Sequence, residues 1–320
     1  MAGKRKFLFL IIAYAIIILL SPDYIFSAVG GYSTQFELPI KCTLGRDCFI
    51  MHYIDLDPGD AEIDYGCGRQ TYNKHDGIDF GISDIEVMNR GIPVIASAGG
   101  VVMKVRDGVV DRLVQDQKQK DNVKKVECGN GLIVDHGNGW QSQYCHMRNH
   151  SITVKKGDQV EKGTVLGMVG ASGLASFPHV HFTVRYQGKV VDPFIGITTA
   201  SGCKVERHPI WDKTPDYVPT GLIRAGFAPK PPSQTQLWQG EFTSKKSKLS
   251  DMHAIIFWVH LYGVLRGDKE HFTLIAPDNR VMIDNEKLLK KNYRSWFSYS
   301  GKKTRRKNEY PRAFGVVFIN

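Results

Sequence analysis

Three short segments of this 320-residue chain hold side chains that could do chemistry together. His75-Asp76-Gly77-Ile78-Asp79 has the form HxxxD, Tyr144-Cys145-His146 ends on a further histidine, and Pro178-His179-Val180-His181-Phe182 holds HxH. On a strand, side chains at i and i+2 project from one face, so His179 and His181 point into a common site. Imidazoles on a common face are good zinc ligands, and a carboxylate is the usual third protein ligand of a hydrolytic zinc site. His75 and Asp79 can supply a nitrogen and an oxygen from a neighbouring loop. Two histidines and one carboxylate leave a fourth position open for water, as catalytic rather than structural sites do. Zinc so held lowers the pKa of a bound water from about 15.7 towards about 7.

Taken singly these signals are weak. A lone histidine in a strand is more often an ordinary hydrogen-bonded residue, and HxxxD recurs by chance. HxH together with HxxxD and a third histidine between them, all framed by glycines, is much harder to obtain idly. The other histidines lack this support. His136 sits in an Asp-His-Gly turn, and His52, His150, His208, His253, His260 and His271 have no partner motif, so all are read as structural. Trp258, Trp296 and Tyr299 are read first as packing residues, and the basic run Lys302 to Lys307 as a solvated loop.

The elements that must position these residues are short apolar runs between Gly, Asn and Asp turns. Pro93 to Ala96, Val101 to Val105, Gly131 to Asp135 and His179 to Val184 read as antiparallel strands of a compact β domain over residues 71–199. Within it, residues 107–127 form a charged insertion, expected as a partly helical surface excursion. Residues 29–70 read as an irregular lead-in and residues 200–239, with Pro229, Pro231 and Pro232, as a linker along the surface. Ala254 to Val259, Glu270 to Ile275 and Gly315 to Ile319 again read as strands, giving a small β-sandwich over residues 240–320. The fold class is therefore mostly β.

At the N-terminus, Lys4, Arg5 and Lys6 precede Phe7 to Leu20, which is apolar apart from Tyr14. That suits a signal peptide over residues 1–28 and is short for a membrane span, which needs about 20 residues. Phe26 is a poor residue three before a cleavage site at Ala28, so an uncleaved N-terminal anchor is the alternative. The expected location is outside the cytoplasm: periplasmic, or else secreted or anchored. The net charge of +10 suits attraction to anionic polymers or membrane surfaces. Six cysteines, with no CxxC pair, point to disulfides in an oxidising compartment and away from a cysteine zinc knuckle.

From about residue 70 to 195 the sequence resembles the lysostaphin/LytM-type zinc metallopeptidases, the glycyl-glycine endopeptidase family. The resemblance rests on Lys74 to Phe80, Ile92 to Ala96, Gly129 to Gly137, Tyr144 to Met147, Gly157-Asp158-Gln159-Val160, Gly163, Gly167, Gly170, Pro178 to Phe182 and Val191-Asp192-Pro193, in the family's order. It implies a catalytic domain of the duplicated hybrid motif type. It implies one Zn2+ per chain on His75, Asp79 and His181, with His146 and His179 as the unligated pair that orients water and stabilises the tetrahedral oxyanion. It further implies peptidoglycan as the partner, not nucleic acid, and cleavage of cross-link peptides. Two features depart from the family: Cys145 stands where a small residue is common, and the 107–127 insertion is unusual. Either could reshape the substrate groove.

Cys128 and Cys145 flank adjacent strands and are expected to pair, Cys42 and Cys48 form a local pair, and Cys67 with Cys203 remain, out of 15 possible pairings. A disulfide-permissive compartment leans towards the D-alanyl–meso-diaminopimelate cross-link rather than glycine bridges. Two rivals differ in class. A non-catalytic scaffold that activates other wall hydrolases would lack metal ligands, whereas all five matched positions are intact. A lipoyl- or biotin-type carrier is suggested by residues 154–170, but it needs a modified lysine at a tight turn and has no use for HxH.

Overall fold

The computed structural model describes residues 34–242, 254–276, 278–303 and 314–319; the expected signal peptide and most of the basic run at 302–307 lie outside these. Among the described residues no helix is long and apolar enough to cross a membrane.

The chain is mostly β. Its largest sheet is antiparallel, and its strands run in the order β1 (Phe49–His52), β2 (Ile78–Gly81), β9 (His179–Tyr186), β6 (Trp140–Met147), β5 (Asn130–Gly137), β4 (Gly100–Arg106) and β7 (Gln159–Val160), with β10 (Lys189–Val191) also paired to β9. A second sheet pairs β3 (Pro93–Ile95) with β8 (Val165–Met168). Alternation along β9 sets the layers. Val180, Phe182 and Val184 point into the core and are fully buried, while His179, His181 and Thr183 occupy the other face. Three disulfides tie the unit together, Cys42–Cys48, Cys67–Cys203 and Cys128–Cys145, the three pairs expected above.

Two stretches hold more structure than their composition suggests. The lead-in over residues 29–70 supplies β1, an edge strand of the main sheet, and the fully buried Phe36. The stretch 200–239 contains β11 (Gly221–Ala228) and the helix α3 (Gln234–Gln239). The correction has a local cause: Ser233 caps the helix and Gln236 returns the bond, a capping box that outweighs the prolines just before it. Two other helices are short, α1 (Ile85–Arg90) and α2 (Gln117–Asn122), the latter within the 107–127 insertion. The insertion is partly helical but not only a surface excursion, because Arg112 and Val114 donate backbone hydrogen bonds to Ala171 and Ala175.

Towards the C-terminus two three-stranded sheets face each other. One is β11, β12 (Ala254–Val264) and β15 (Tyr293–Lys303); the other is β14 (Val281–Leu288), β13 (Lys269–Ile275) and β16 (Phe314–Ile319). Ile255, Phe257, Val259 and Leu261 of β12 meet Phe272 and Leu274 of β13 in a shared core, so the arrangement is sandwich-like. The other face of β12 is covered too. Tyr262 stacks on Phe49 with ring centroids 5.2 Å apart, and His260 lies 4.4 Å from Trp238. Burial on both faces explains the near-continuous apolar run of this strand. The described residues from 34 onward form one compact unit.

Candidate active site

Strand register brings the sequence motifs together. Asp79 on β2 stands opposite His181 on β9, which stands opposite Cys145 on β6, and directly opposed residues share a face. His75 is four residues ahead of Asp79, in a turn where its amide donates to the carbonyl of Tyr72. Gly77 leaves room for the site, since a Cβ there would lie 2.4 Å from His181 Nε2. His146 would alternate away from Cys145 and the site face in a regular strand. Its φ of 61° breaks that alternation, and its ring lies 4.6 Å from that of His179. The Cys128–Cys145 disulfide and the bond from the His146 amide to the Cys128 carbonyl hold this unusual backbone.

Hydrogen-bond partners define which nitrogen of each ring is free. His75 Nδ1 must donate to the carbonyl of Tyr53 (2.7 Å), so its Nε2 carries a lone pair. That lone pair lies 3.2 Å from Asp79 Oδ1 and 3.1 Å from His181 Nδ1. His181 Nε2 faces Thr183 Oγ1 at 3.0 Å and Asp76 Oδ1 at 3.4 Å, while its Nδ1 lies 2.9 Å from Asp79 Oδ1. Three acceptor atoms thus converge, and they repel one another unless positive charge sits among them. Burial disfavours charge on His181, but the carboxylates of Asp76 and Asp79 push it up to about 9. Burial would likewise raise Asp79, yet the surrounding histidines hold it well below the ordinary carboxylate range.

The geometry also fits a metal ion. Among the described residues, His75, Asp79 and His181 form the group of three whose ligand atoms all lie within 4.8 Å of one another. Ligands about 2.0–2.1 Å from a tetrahedral zinc stand about 3.3 Å apart, close to the separations here. His146 and His179 flank this set without joining it. His146 Nδ1 donates to the Ser172 carbonyl and His179 Nδ1 to the Phe177 carbonyl, both at 2.8 Å, which leaves both Nε2 atoms as acceptors. Burial lowers both rings, His179 to about 4 and His146 well below its usual value. Both are therefore neutral near pH 7.

Of these residues Asp79, His146 and His179 line a groove of about 810 Å³. Several of its walls carried no recognisable motif. Val114 to Gln117 come from the insertion, Gln234 and Trp238 from α3, and Arg294 from β15. Trp238 packs 5.5 Å from Phe177, which itself stacks on His179 at 4.3 Å. His52, read as structural from the sequence, is at the centre: its Nδ1 lies 2.8 Å from Asp79 Oδ2. His136, by contrast, bonds the Gly99 carbonyl and Ser142 and takes no part.

An antiparallel β domain with HxxxD and HxH side chains meeting on one sheet face defines a metallopeptidase-like site, and the family comparison agrees. Residues 73–193 match the model of peptidase family M23, and this part of the chain is an M23 peptidase domain. Over 118 residues, 37% of this chain, it is 30% identical to the peptidoglycan DD-endopeptidase ShyA of Vibrio cholerae, covering 22% of that protein. Over 124 residues, 38% of this chain, it is 31% identical to the DD-carboxypeptidase/endopeptidase Mpg of Neisseria meningitidis, covering 23% of it. The chain thus spans less than a quarter of the length of either relative. The catalytic domain of lysostaphin from Staphylococcus simulans is also similar, at 22% identity and a TM-score of 0.29, with 44% of this chain and 85% of that one covered.

Proposed function

We propose that this chain is a zinc-dependent endopeptidase that cuts peptidoglycan cross-links between D-alanine and meso-diaminopimelate. The observation that carries the reading is the convergence of His75 Nε2, Asp79 Oδ1 and His181 Nδ1 on one point, with two neutral histidines beside it in an open groove. His75, Asp79 and His181 would hold the ion. When bound, zinc supplies Lewis acidity to a carbonyl and to an attacking water. The chain's own residues then handle the proton. The Nε2 of His146 or His179 accepts it from the attacking water, and each ring is held in that tautomer by its bond to a backbone carbonyl. Once charged, the same N–H donates to the oxygen that gains charge or passes the proton to the leaving nitrogen.

The named activities of ShyA and Mpg support a cell-wall peptide as substrate. The three disulfides support an oxidising compartment such as the periplasm, where diaminopimelate-type wall is the substrate at hand. The net charge of +10 favours approach to a carboxylate-rich polymer. A non-catalytic scaffold has no use for two histidines poised in the groove.

The test is digestion of purified diaminopimelate-type peptidoglycan by the zinc-loaded chain, followed by separation of muropeptides. Dimers should convert to monomers with glycan linkages intact, and a chelator should stop the conversion. Persistent dimers with cleavage of pentaglycine bridges would overturn the bond assignment. No cleavage of either would favour the scaffold.

A further inference from the structure

Asp79 is the one carboxylate in the set of three, and its two oxygens have different surroundings. Oδ1 faces His75, His181 and, at 3.5 Å, His179. Among the described residues Oδ2 has His52 Nδ1 as its hydrogen-bond partner, at 2.8 Å, with both side chains almost wholly buried. His52 comes from β1, outside the residues that match the family. A register shift between Ile50 and His52 places it directly opposite Asp79, and bulges of this kind re-aim side chains beside functional sites. The ring is boxed edge-on by Tyr72, Phe177 and His75 at 5.2, 5.8 and 5.8 Å. Its Nε2 is buried and has no hydrogen-bond partner among the described residues. A neutral imidazole has one N–H, and Asp79 Oδ2 is the partner that can use it.

We propose that His52 is a positioning residue that locks Asp79 for one-oxygen coordination: its Nδ1–H occupies Oδ2 and leaves only Oδ1 to face His75 and His181. A carboxylate free to rotate or to bind through both oxygens would crowd the position that a substrate oxygen or water must take. The inference rests on the zinc reading above. Hydrogen-bonding partners of metal ligands are typically worth 10- to 100-fold in metal affinity.

The experiment uses the full chain, stripped of metal and titrated with Zn2+ against a chromophoric chelator, and with Co2+ for its visible spectrum. His52→Phe keeps an aromatic ring in the box but removes the donor. His52→Asn places an amide N–H near the position of Nδ1. His52→Phe should weaken zinc about 10- to 100-fold and change the Co2+ spectrum, and His52→Asn should restore both to near the wild-type values. His52→Phe binding zinc as tightly as wild type, with an unchanged Co2+ spectrum, would overturn the proposal. So would His52→Asn failing to recover affinity while its melting curve matches wild type. Wild-type protein that binds no zinc would overturn this inference and the proposed function together. Wild-type protein that binds zinc yet cuts nothing would overturn the function alone, since the affinities decide the role of His52 without any cleavage.

Discussion

Asp192 should make the fold less stable as pH rises, and its replacement by Asn should abolish that loss. The residue sits in the Val191-Asp192-Pro193 segment after the catalytic strands. It is almost fully buried; Oδ1 accepts the amide of Phe194 at 2.8 Å, and Oδ2 has no hydrogen-bond partner among the described residues. Burial, aided by the carboxylate of Asp64, pushes the group from 3.8 up to about 7, against the pull of the Phe194 amide. Between these values the folded protein binds a proton that the unfolded chain has released. Stability therefore falls with rising pH, and the contribution present below about pH 4 is gone above about pH 7. At about 1.4 kcal/mol per pKa unit the full effect is about 4 kcal/mol, of which about 3 falls between pH 5 and pH 8. Asn keeps the acceptor for Phe194 and carries no charge. Urea unfolding of both proteins at pH 5 and pH 8 checks this, because every other titration cancels in the difference. Asp192→Asn should gain about 3 kcal/mol on wild type between the two pH values. A difference that stays constant, or that shrinks as pH rises, would refute the assignment of a buried, destabilised carboxyl.

Other outcomes follow from the same contacts. His146→Ala and His179→Ala should each keep zinc but lose about 10²- to 10⁴-fold in turnover on cross-linked muropeptides; zinc loss from either would make that histidine a ligand. Replacing Cys128 and Cys145 by Ala should cost about 3 kcal/mol in chemical unfolding, as expected for closing a loop of 17 residues, and no loss would show the β5–β6 hairpin already ordered without the bond. Trp238→Ala removes the contacts to Phe177 and His260 and should cost about 3–5 kcal/mol; a cost under about 1 kcal/mol would mean that α3 does not anchor the groove wall. Activity should fall with added salt as screening shortens the reach of the chain's positive charge, and salt-independent turnover would remove electrostatic attraction from the account.

What the sequence displayed, and what it hid, separate along physical lines. HxH was legible because strand periodicity alone puts His179 and His181 on one face. HxxxD was legible because a four-residue spacing keeps His75 near Asp79 whatever the rest of the chain does. The run His179 to Val184 was legible as a strand, and the structure makes Val180, Phe182 and Val184 its core face. His52 carried no such mark, because its link to Asp79 depends on a bulge and on pairing across 27 positions. Trp238 and Arg294 reach the groove only through the docking of the C-terminal sheets, which no local pattern encodes. The helix at α3 did leave a trace, the Ser233-x-x-Gln236 capping box, hidden beside Pro231 and Pro232. The Cys128–Cys145 pair was readable from its place on neighbouring strands, but its role in holding the left-handed backbone of His146 was not.

The central claim is that His75, Asp79 and His181 converge because a zinc ion belongs among them. Measuring zinc in wild-type and Asp79→Ala protein after reconstitution and exhaustive dialysis tests this most directly. Wild type should retain about one zinc per chain and Asp79→Ala almost none, because a three-ligand site tolerates no vacancy. Wild-type protein without zinc, or an Asp79→Ala variant that keeps its full complement, would contradict it.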